Sequence, residues 1–405
     1  MRVRSLAIVR VVAGLAATLV LVAGCGGGSG DSSGAGSPGT AADSAPVPAG
    51  AVVVAPISGF GSVIVNGIRF DDSRASIGSD DDTTFRREDL RIGMMVDVRG
   101  SIAADGLSGS AQSIRTFNEV KGPVDSVDVG TSRLVVLGQS VQVDRKTVFA
   151  DVAGLANLAP GDLVEVHGLR NPTAQSIVAT RIEKKSPPLS GSTDLRLRGR
   201  IASLDAASKT FSIGTIVVSY GGARIDSSAG RELANGILVK VRSEASPGGN
   251  TLVASRVQIE DSLTPDAGGR AELEGFISDF VSTQSFVVNG VAIDGSRAAF
   301  LRGAASTLAN GVRVQVYGSY QNGRLQAETI KFEDGGDLGE LEIKGPVSGF
   351  VDSSNFIVHG QRVDASGASI ERGTAQQLAD GAVVEIKGVM QGSVLRASRV
   401  KFEIS

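Results

Sequence analysis

Side chains that commonly carry catalysis or hold metals are scarce in this sequence. It has one cysteine, Cys25, and two histidines, His167 and His359, which stand far apart at unrelated positions. A Ser–His–Asp or Cys–His site needs such groups together, and a zinc site needs several Cys or His ligands at short spacing. The sequence therefore predicts no catalytic residue, no metal ligand and no cofactor, and we expect a protein that is not an enzyme.

One run of acidic residues offers oxygen ligands of the kind that calcium prefers. It comprises Asp80, Asp81 and Asp82, with Asp71 and Asp72 nearby. The alternating DxDxDG spacing of a calcium-binding loop is missing. We therefore interpret the run as a solvated loop.

Other charged residues recur at one position of a repeated strand. Asp97, Glu165 and Glu385 share this position, and further copies of the strand have Lys or Gln there. A paired-carboxylate site for acid–base catalysis would not tolerate that exchange. His167 stands two residues after Glu165, where the other copies have Arg, Tyr or Lys. We expect these four side chains to face solvent.

The N-terminus predicts a definite chemical event at Cys25. Three arginines precede an uncharged, apolar run over residues 11–23, which is too short to span a membrane as a helix. Small residues then lead directly to the cysteine in the segment LVAGC. This order resembles the lipobox of bacterial lipoproteins, so residues 1–24 would be a lipoprotein signal peptide and the Cys25 thiol would receive the lipid. The alternative is an ordinary secretory signal with an incidental cysteine.

A lipid on Cys25 would anchor the protein in the cell envelope and would leave no thiol for a disulfide. Gly26, rather than an aspartate, follows the cysteine, which favours the outer membrane, on either its periplasmic or its surface face. The rest of residues 25–50 is mostly Gly, Ser, Ala and Pro and predicts a flexible tether.

The overall composition excludes one class of partner. The chain has 40 Lys and Arg against 43 Asp and Glu, a net charge of −3, and no dense basic block. Binding to nucleic acid depends on clustered Lys and Arg that neutralise phosphates, so no nucleic acid is expected. The 53 glycines, the many valines and the scarcity of aromatic residues (4%) favour short strands and turns.

One pattern recurs five times and decides the architecture. Each copy has a strand that ends in glycine (SVIVNG), a Leu-x-x-Gly step, a strand of alternating apolar and polar residues (VEVHG) and a last strand that begins at alanine. In the third copy, Ser243 replaces the glycine that ends the alternating strand. The predicted repeats cover residues 51–118, 119–185, 194–261, 270–334 and 340–405.

Each repeat reads as three strands, a short Ala- and Leu-rich turn or helix, and two more strands. This is the order of an OB-like barrel, and closure hides the sheet edges that several small β-domains in series must protect. The predicted fold class is all-β: a tandem array of about five small five-stranded OB-like β-barrels after a signal peptide and a flexible tether. An SH3-like barrel or a small sandwich is the alternative.

Linkers rich in Pro, Gly and Ser separate the later repeats, at 186–193, 262–269 and 334–339. Exposed segments of this composition are preferred sites of proteolysis. We expect cleavage in the first two linkers to release folded, β-rich fragments.

The first repeat departs from the others near its start. Its opening and second-strand glycines, Gly59 and Gly67, stand much closer together than the equivalent glycines of the other copies. The first repeat therefore cannot form the same first loop. We expect Phe60, in a Gly-Phe-Gly step, to dock on a neighbouring repeat or on an outside partner.

These segments resemble the DUF5666 family, a domain of unknown function found in tandem in bacterial lipoproteins. GFGSVIVNGIRFD (59–71) and RIGMMVDVRG (91–100) resemble a first copy, and SFVVNG and NFIVHG resemble parts of further copies. The resemblance covers nearly all of residues 55–404. It implies the fold but brings no catalytic residues, because the shared motif consists of structural Gly and Val.

Repetition without reactive side chains favours a binding role. We expect a non-enzymatic, envelope-anchored lipoprotein whose barrels form a multivalent binding surface, because repeated modules sum weak contacts. Its partners would be the membrane, through the N-terminal lipid, and an unknown envelope protein or polymer. A structural spacer or scaffold in the envelope is the first alternative, and an uncharacterised enzyme is the second.

Overall fold

The structure is a computed structural model, and it describes residues 50–79, 84–186, 194–227, 230–260, 265–333 and 339–403. It consists of five repeated units, and we call the first strand of each unit strand A. A hairpin of strands B and C, a short strand D and a long hairpin of strands E and F follow strand A in every unit. A 3-10 turn precedes strand E in repeats 1, 2, 4 and 5. Among the described residues, no helix has the length and apolar character needed to cross a membrane.

The strands of the first three repeats follow one another along the chain in the order A to F. Repeat 1 has β1 (Ala51–Phe60), β2 (Val63–Val65), β3 (Ile68–Asp71), β4 (Ser76–Ser79), β5 (Met95–Ile102) and β6 (Ser108–Phe117). Repeat 2 has β7 (Val120–Asp128), β8 (Arg133–Val136), β9 (Gln139–Gln142), β10 (Val148–Ala150), β11 (Leu163–Asn171) and β12 (Ser176–Lys184). Repeat 3, in which strands A and F are each split in two, has β13 (Leu195–Arg200), β14 (Ala202–Asp205), β15 (Thr210–Ile213), β16 (Ile216–Ser219), β17 (Arg224–Ser227), β18 (Leu238–Ser243), β19 (Thr251–Val253) and β20 (Arg256–Ile259).

The last two repeats have closely matched elements. Repeat 4 has β21 (Arg270–Ser282), β22 (Ser285–Val288), β23 (Val291–Asp294), β24 (Ala299–Leu301), β25 (Arg313–Gln321) and β26 (Arg324–Phe332). Repeat 5 has β27 (Leu341–Asp352), β28 (Asn355–Val358), β29 (Gln361–Asp364), β30 (Ser369–Glu371), β31 (Val383–Gln391) and β32 (Val394–Phe402).

The strands of each repeat close into a barrel. In repeat 1, β1 pairs antiparallel with β2 and β5, β2 with β3, and β5 with β6, whereas β3 and β6 run parallel. The order A-B-C-F-E thus returns to A, which is the strand order of an OB barrel. Equivalent pairs close the other repeats, so the predicted array of OB-like barrels is confirmed. Strand D was not predicted; it adds to strand F in parallel.

The Leu-x-x-Gly step fixes one end of each barrel. In repeat 4, Leu308 is buried, and Gly311 has a positive φ and donates its N–H to the carbonyl oxygen of Ile277 in strand A at 2.8 Å. The other four repeats make the equivalent backbone bond. The segments predicted as Ala- and Leu-rich turns are 3-10 turns at 155–157 and 305–307. The step therefore places the start of strand E against strand A.

Strands E and F approach each other closely at the glycine that follows the alternating residues of strand E. A Cβ at Gly388 would lie 2.2 Å from the carbonyl oxygen of Arg396, and one at Gly318 would lie 2.1 Å from that of Gln326. The pairing register slips at this glycine, which forms a bulge that bends the hairpin. In repeat 3, which has Ser243 at this position, strand E ends at the serine and strand F is split in two.

Strand A also joins the repeats to one another. Residues 52–54 of β1 pair in parallel with residues 271–273 of β21, and the end of β1 pairs in parallel with the start of β27. Repeat 1 thus contacts repeats 4 and 5, which are distant in the sequence. In the same way, β7 pairs with β13 and joins repeats 2 and 3. These pairs cover edges of strand A that a separate barrel would leave open.

The apolar cores cross the repeat boundaries as well. One cluster of buried side chains unites repeats 1 and 5, and a second unites repeats 2 and 3. A third fills repeat 4 and includes Val52, Val54 and Met95 from the outside of repeat 1. The described residues of all five repeats belong to one compact unit. Barrels this small gain burial by sharing it, which argues against separately folded repeats. The release of β-rich fragments by proteolysis stays a prediction. Residues 187–193, 262–264 and 334–338 of the three linkers lie outside the described residues.

Candidate functional site

A cleft of about 780 Å³ opens where repeats 1, 2 and 5 meet, and we call it the 1–2–5 cleft. Repeat 1 contributes the segment before strand E, repeat 2 contributes the ends of strands D and F, and repeat 5 contributes strand C and the E–F turn. Its charged lining residues are Asp89, Arg91, Asp151, Arg181, Glu183, Lys185 and Arg362.

The Gly-Phe-Gly step of repeat 1 brings two walls of the cleft together. Phe60 is buried and stacks on His359 of repeat 5, with ring centroids 3.9 Å apart and planes inclined by 23°. Gly59 approaches repeat 5 so closely that a Cβ there would lie 2.3 Å from the carbonyl oxygen of Glu342. Of the two partners predicted for Phe60, the neighbouring repeat is therefore confirmed.

His359 is positioned for this stack by the turn between strands B and C. Its φ of 50° lies in the left-handed region, which histidine tolerates better than most residues. Burial lowers the pKa of the His359 ring, and the positive charges of Arg91 and Arg87 lower it further. The histidine that the sequence left without a role thus acts as a neutral contact surface for Phe60.

Repeat 2 forms the third wall through hydrogen bonds to repeat 1. Thr180 donates its hydroxyl to the carbonyl oxygen of Gly93 at 2.7 Å, and Arg181 donates to that of Ile92 at 3.3 Å. Arg181 also pairs with Glu183 at 2.8 Å, and Lys185 pairs with the same carboxylate. Burial raises the pKa of Glu183, but these two cations outweigh it and hold the pKa below its ordinary value.

Two further arginines line the cleft without forming an ion pair to any carboxylate in the described ranges. Arg91 is half-buried and donates to backbone carbonyls, including that of Leu90 at 2.9 Å. Burial and the nearby charge of Arg181 lower its pKa from the ordinary value for arginine. Arg362 is exposed on strand C of repeat 5 and donates to the Asn355 side-chain oxygen at 3.3 Å.

The rest of the lining is apolar or neutral. Phe85, Met94, Phe149 and Val152 supply an apolar portion from repeats 1 and 2. Gln361, which is buried, donates to the Ser393 carbonyl oxygen at 2.8 Å and so orders the repeat 5 wall. A cleft with a charged part and an apolar part can bind a small amphiphilic molecule.

A second cavity, of about 410 Å³, lies among repeats 1, 2, 4 and 5. Cations on its walls pair with carboxylates across repeat boundaries: Lys146 with Glu333 at 3.2 Å, and Arg69 with Glu342 at 2.6 Å. Burial raises the pKa of Glu333, but its bonds to lysines outweigh this effect and lower the pKa. We interpret these pairs as contacts that hold the barrels together.

His167 was expected to face solvent, and this expectation is wrong. The residue is 2% exposed. Its Nδ1 lies 2.6 Å from the carbonyl oxygen of Phe117 in repeat 1, and its Nε2 lies 3.2 Å from Glu165. The end of repeat 1 covers the outward side of strand E in repeat 2. The alternation of apolar and polar residues along strand E does not reveal this contact.

The acidic residues on the same strand position were also expected to face solvent, and they are mostly covered. The side chains of Asp97, Glu165 and Glu385 are 13–16% exposed and pair with cations. Burial raises the pKa of Asp97. Burial also raises that of Glu165, but the close contact with His167 and neighbouring positive charges hold the pKa well below its ordinary value.

The structure assigns capping and pairing roles to the two described residues of the acidic loop. Asp72 is buried and receives two bonds from Arg87, at 2.6 and 2.8 Å. Asp71 accepts the N–H of Ser73 at 3.0 Å. Asp80 to Asp82 and Cys25, together with the signal peptide and nearly all of the tether, lie outside the described residues. Among the residues that the structure does describe, no group of three or more His, Cys, Asp or Glu could hold a metal ion.

The A–B hairpins present a repeated feature at their tips. Val129, Val281 and Val351 are exposed by 55%, 79% and 69% there, in repeats 2, 4 and 5. Repeat 3 has the small Ala206 in its turn, and in repeat 1 only two residues separate β1 from β2. The short first loop expected for repeat 1 is therefore confirmed.

Sequence reasoning missed Arg91 and Arg362, although a signal for Arg91 was present. The residue after the leucine of the Leu-x-x-Gly step is alanine in the other four repeats: Ala159, Ala234, Ala309 and Ala379. Arg91 is the departure from this pattern. Comparison of the copies position by position would have marked it as a residue with a role of its own.

Comparison with known proteins gives one family. The model of a family described as "Domain of unknown function (DUF5666)" matches residues 121–183, 198–258, 274–331 and 344–401, which lie in repeats 2 to 5. The resemblance seen in the sequence is thus confirmed for four tandem copies. No curated protein matches. A solved structure titled "drosophila Unr CSD456" is 17% identical and covers 54% of this chain and 98% of that chain, with a TM-score of 0.14, and so low a score supports no argument.

Proposed function

Because the chain belongs to the DUF5666 family, whose function is unknown, we propose its function from geometry: it is a non-enzymatic binding protein of the cell envelope, anchored through a lipid on Cys25. The observation that carries the proposal is the 1–2–5 cleft. Its volume of about 780 Å³ lies within the range of small-molecule sites, roughly 300–1,000 Å³.

The chemistry of the cleft supports binding rather than catalysis. No histidine or cysteine is among the described residues that line it. One of its carboxylates, the partly buried Glu183, is engaged by Arg181 and Lys185 and has a lowered pKa, so it is a poor proton acceptor at neutral pH. The remaining groups can hold and orient a ligand.

The proposal is tested by native mass spectrometry of the protein purified from the cells that naturally produce it. We expect a small molecule to co-purify with the wild type and to be released on denaturation. Ser393→Trp should prevent this, because an indole there would occupy the cleft from the repeat 5 wall. Ser354→Trp, at an exposed turn of the same repeat, is the matched control and should retain the ligand. A wild type without bound ligand, or retention in Ser393→Trp, would contradict the proposal.

A multivalent contact with an envelope protein or polymer is a second form of the binding function. The exposed valines at the A–B tips favour it, since β21 and β27 both run parallel to β1 and their hairpins extend the same way. Val129→Ser, Val281→Ser and Val351→Ser combined should reduce retention on isolated cell-envelope fractions. Val253→Ser, at an exposed valine away from the tips, should not. Equal retention of all variants would contradict a multivalent contact through the exposed valines.

A spacer or scaffold remains the alternative to binding. The backbone pairs between barrels favour it, because they would hold a fixed distance in the envelope. A spacer or scaffold would be favoured over binding if no ligand co-purifies and no envelope fraction retains the protein.

A further inference from the structure

We propose that repeat 3 binds a linear anionic polysaccharide, a polymer of uronic acid residues, along a row of basic side chains on its outer face. We call these side chains the arginine row: Arg196 on strand A (β13), Arg242 on strand E (β18), Arg256 on the second part of strand F (β20) and Arg224 on strand D (β17). The proposal concerns a surface apart from the 1–2–5 cleft, because no residue of repeat 3 is among the described residues that line that cleft.

The pairing registers align the four arginines across their strands. Arg196 lies opposite Arg242, and Arg242 lies opposite Arg256. Arg256 in turn lies beside Arg224. Paired residues point to the same face of a sheet, and neighbouring strands are about 4.8 Å apart. Val241, next to Arg242, is fully buried in the barrel core, so the arginines point outward.

The other described repeats lack this row, although they share the barrel. At the position of Arg196 on strand A, repeats 4 and 5 have Glu272 and Glu342. At the position of Arg224 on strand D, the other repeats have Ser76, Val148, Ala299 and Ser369. The barrel therefore does not require arginine at these positions.

The inner end of the row lies at the junction with repeat 2. Arg196 is buried there, and Lys121 of β7 lies beside it in the pairing register. Asp194 pairs with both of these cations at 2.8 Å and with Arg242 at 3.1 Å. Glu165, on the other side of Lys121, pairs with a lysine of repeat 2. One carboxylate, that of Asp194, is thus shared among three cations.

The outer end of the row is open to solvent. The side chains of Arg242, Arg256 and Arg224 are exposed by 42%, 46% and 78%. Asp226 pairs with Arg224 at 2.7 Å and also with Arg256. Exposed ion pairs of this kind are weak, so a ligand can exchange with them.

Positive charge exceeds negative charge on this face. Four arginines and one lysine share the carboxylates of Asp194 and Asp226. The acids of the next position along the strands, Glu119 and Glu260, both pair with Arg198. Even with the exposed Glu244 counted, which lies just beyond the end of β18, the cations of the row outnumber the carboxylates. The outer face of repeat 3 is therefore positive, although the whole chain has a net charge of −3.

A polymer with a carboxylate on every sugar residue fits this arrangement. Guanidinium groups form paired, charge-assisted hydrogen bonds with carboxylates. A single small carboxylate can contact only part of a row that extends across four strands. A linear polyuronate can contact the exposed arginines in succession, and weak contacts along one chain add together.

Single-stranded nucleic acid is a polyanion that fits this face less well. Its binding sites combine cations with aromatic side chains on which the bases stack. The four strands that carry the arginine row contain no aromatic residue. The cations of the row are also dispersed along the sequence, so the fold assembles a basic surface where the sequence shows no basic block.

The test measures binding of the full protein, in a non-ionic detergent, to end-biotinylated polygalacturonate by biolayer interferometry. We expect binding at low ionic strength that weakens as salt is added, because exposed charges are screened. Dextran, an uncharged polysaccharide, should not bind. At equal carboxylate concentration, free galacturonate should compete at least about tenfold more weakly than the polymer.

Variants locate the surface. Arg224→Gln combined with Arg256→Gln should weaken binding by at least about tenfold, which is the effect of losing charge-assisted bonds. Arg297→Gln combined with Arg372→Gln removes two exposed arginines elsewhere, changes the net charge equally and should bind as the wild type does. Asp226→Asn should tighten binding by about twofold or more, since it removes a carboxylate that competes for the same arginines. This gain cannot result from a loss of folding.

Several results would overturn the proposal: no binding, equal binding of dextran, equal competition by free galacturonate, or equal losses in the two double variants. Tighter binding to oligo-dT would assign the row to nucleic acid, and tighter binding to anionic lipid vesicles would assign it to a lipid surface. Ser393→Trp, which tests the 1–2–5 cleft, should bind polygalacturonate as the wild type does. Failure of the cleft and failure of the arginine row are therefore distinguishable.

Discussion

The recurring glycine in strand E lies at the bulge where strands E and F approach closely, and its missing side chain allows that approach. Gly100, Gly318 and Gly388 each face a carbonyl oxygen of strand F at a distance that no Cβ could accept. Repeat 3 has Ser243 instead, and there the two strands separate early. In repeat 3 the serine therefore occurs together with a hairpin that ends at this position, before a longer connection to strand F.

Gly388→Ala tests this role in repeat 5. The added Cβ would lie 2.2 Å from the backbone oxygen of Arg396, which cannot move without disturbing the sheet. We expect a loss of about 1–3 kcal/mol in the free energy of unfolding, measured by urea titration. Gly367→Ala, in the same repeat, has no atom within 4 Å of the new Cβ and should change stability by no more than about 0.5 kcal/mol. Equal effects of the two substitutions would refute the close-crossing argument.

Strand A is the element that builds both the barrels and the contacts between them. Its later part pairs with strand B, and its early part pairs with strand E on one edge, so the other edge is open to a second repeat. In repeat 1 the same strand ends in Gly59 and Phe60, which dock on repeat 5. Repeat 1 thus has a short A–B turn that contacts repeat 5, where the other repeats have a longer, exposed loop.

The junction of β7 and β13 makes a prediction about pH. Asp194 pairs with Lys121 at 2.8 Å and with Arg196 at 2.8 Å. Burial raises the pKa of Asp194, but these bonds outweigh it and lower the pKa to about 2 from 3.8. Because the folded pKa is depressed, the stabilisation is fully present above about pH 4 and is lost as the pH falls toward about 2.

Asp194→Asn should therefore lower the free energy of unfolding at neutral pH by about 1 kcal/mol, a value reduced for the partial exposure of the pair. It should also flatten the loss of stability between about pH 4 and pH 2. Glu244→Gln, at an exposed carboxylate of the same repeat, is the control. Urea titrations at several pH values measure both effects. Superimposable pH profiles for Asp194→Asn and the wild type would rule out this contribution.

The order of elements could be predicted from the sequence, and the contacts between repeats could not. Glycine-ended strands and the Leu-x-x-Gly step recur in a fixed order, so they predict the barrel. Pairing of β1 with β21 uses backbone N–H and C=O groups that every residue offers, so no side chain marks it. His167 reads as an outward polar residue, and only the fold reveals that Phe117 covers it. Arg91 replaces the alanine of the other copies, but its surroundings come from repeats 2 and 5, which the sequence of one repeat does not reveal.

At the scale of the whole molecule, the described barrels behave as one body rather than as separate modules. Repeats 1 and 5 share a core, repeats 2 and 3 share another, and repeat 1 lends side chains to the core of repeat 4. The 1–2–5 cleft exists only where three barrels meet. A binding site of this kind would be lost if the array opened.

The proposed lipid anchor also concerns the whole molecule. Since the segment LVAGC resembles a lipobox, we expect the mature protein to begin at an acylated Cys25 and to float with membranes in a density gradient. Cys25→Ser should leave an unlipidated or unprocessed precursor of different intact mass. An unmodified mature N-terminus at another residue would contradict the lipid anchor.

The central claim is that contacts with the other repeats, above all with repeat 1, hold repeat 5 in place without the covalent linker before it. The most direct measurement inserts a site for a sequence-specific protease into the linker at 334–338, cleaves the native protein and follows repeat 5 by size-exclusion chromatography. We predict that repeat 5 co-elutes with the rest, through the pairing of β1 with β27 and the stack of Phe60 on His359. Gly59→Val, whose side chain would meet the Glu342 carbonyl, should release it. Separation of repeat 5 as a free barrel from the cleaved wild type would contradict the account.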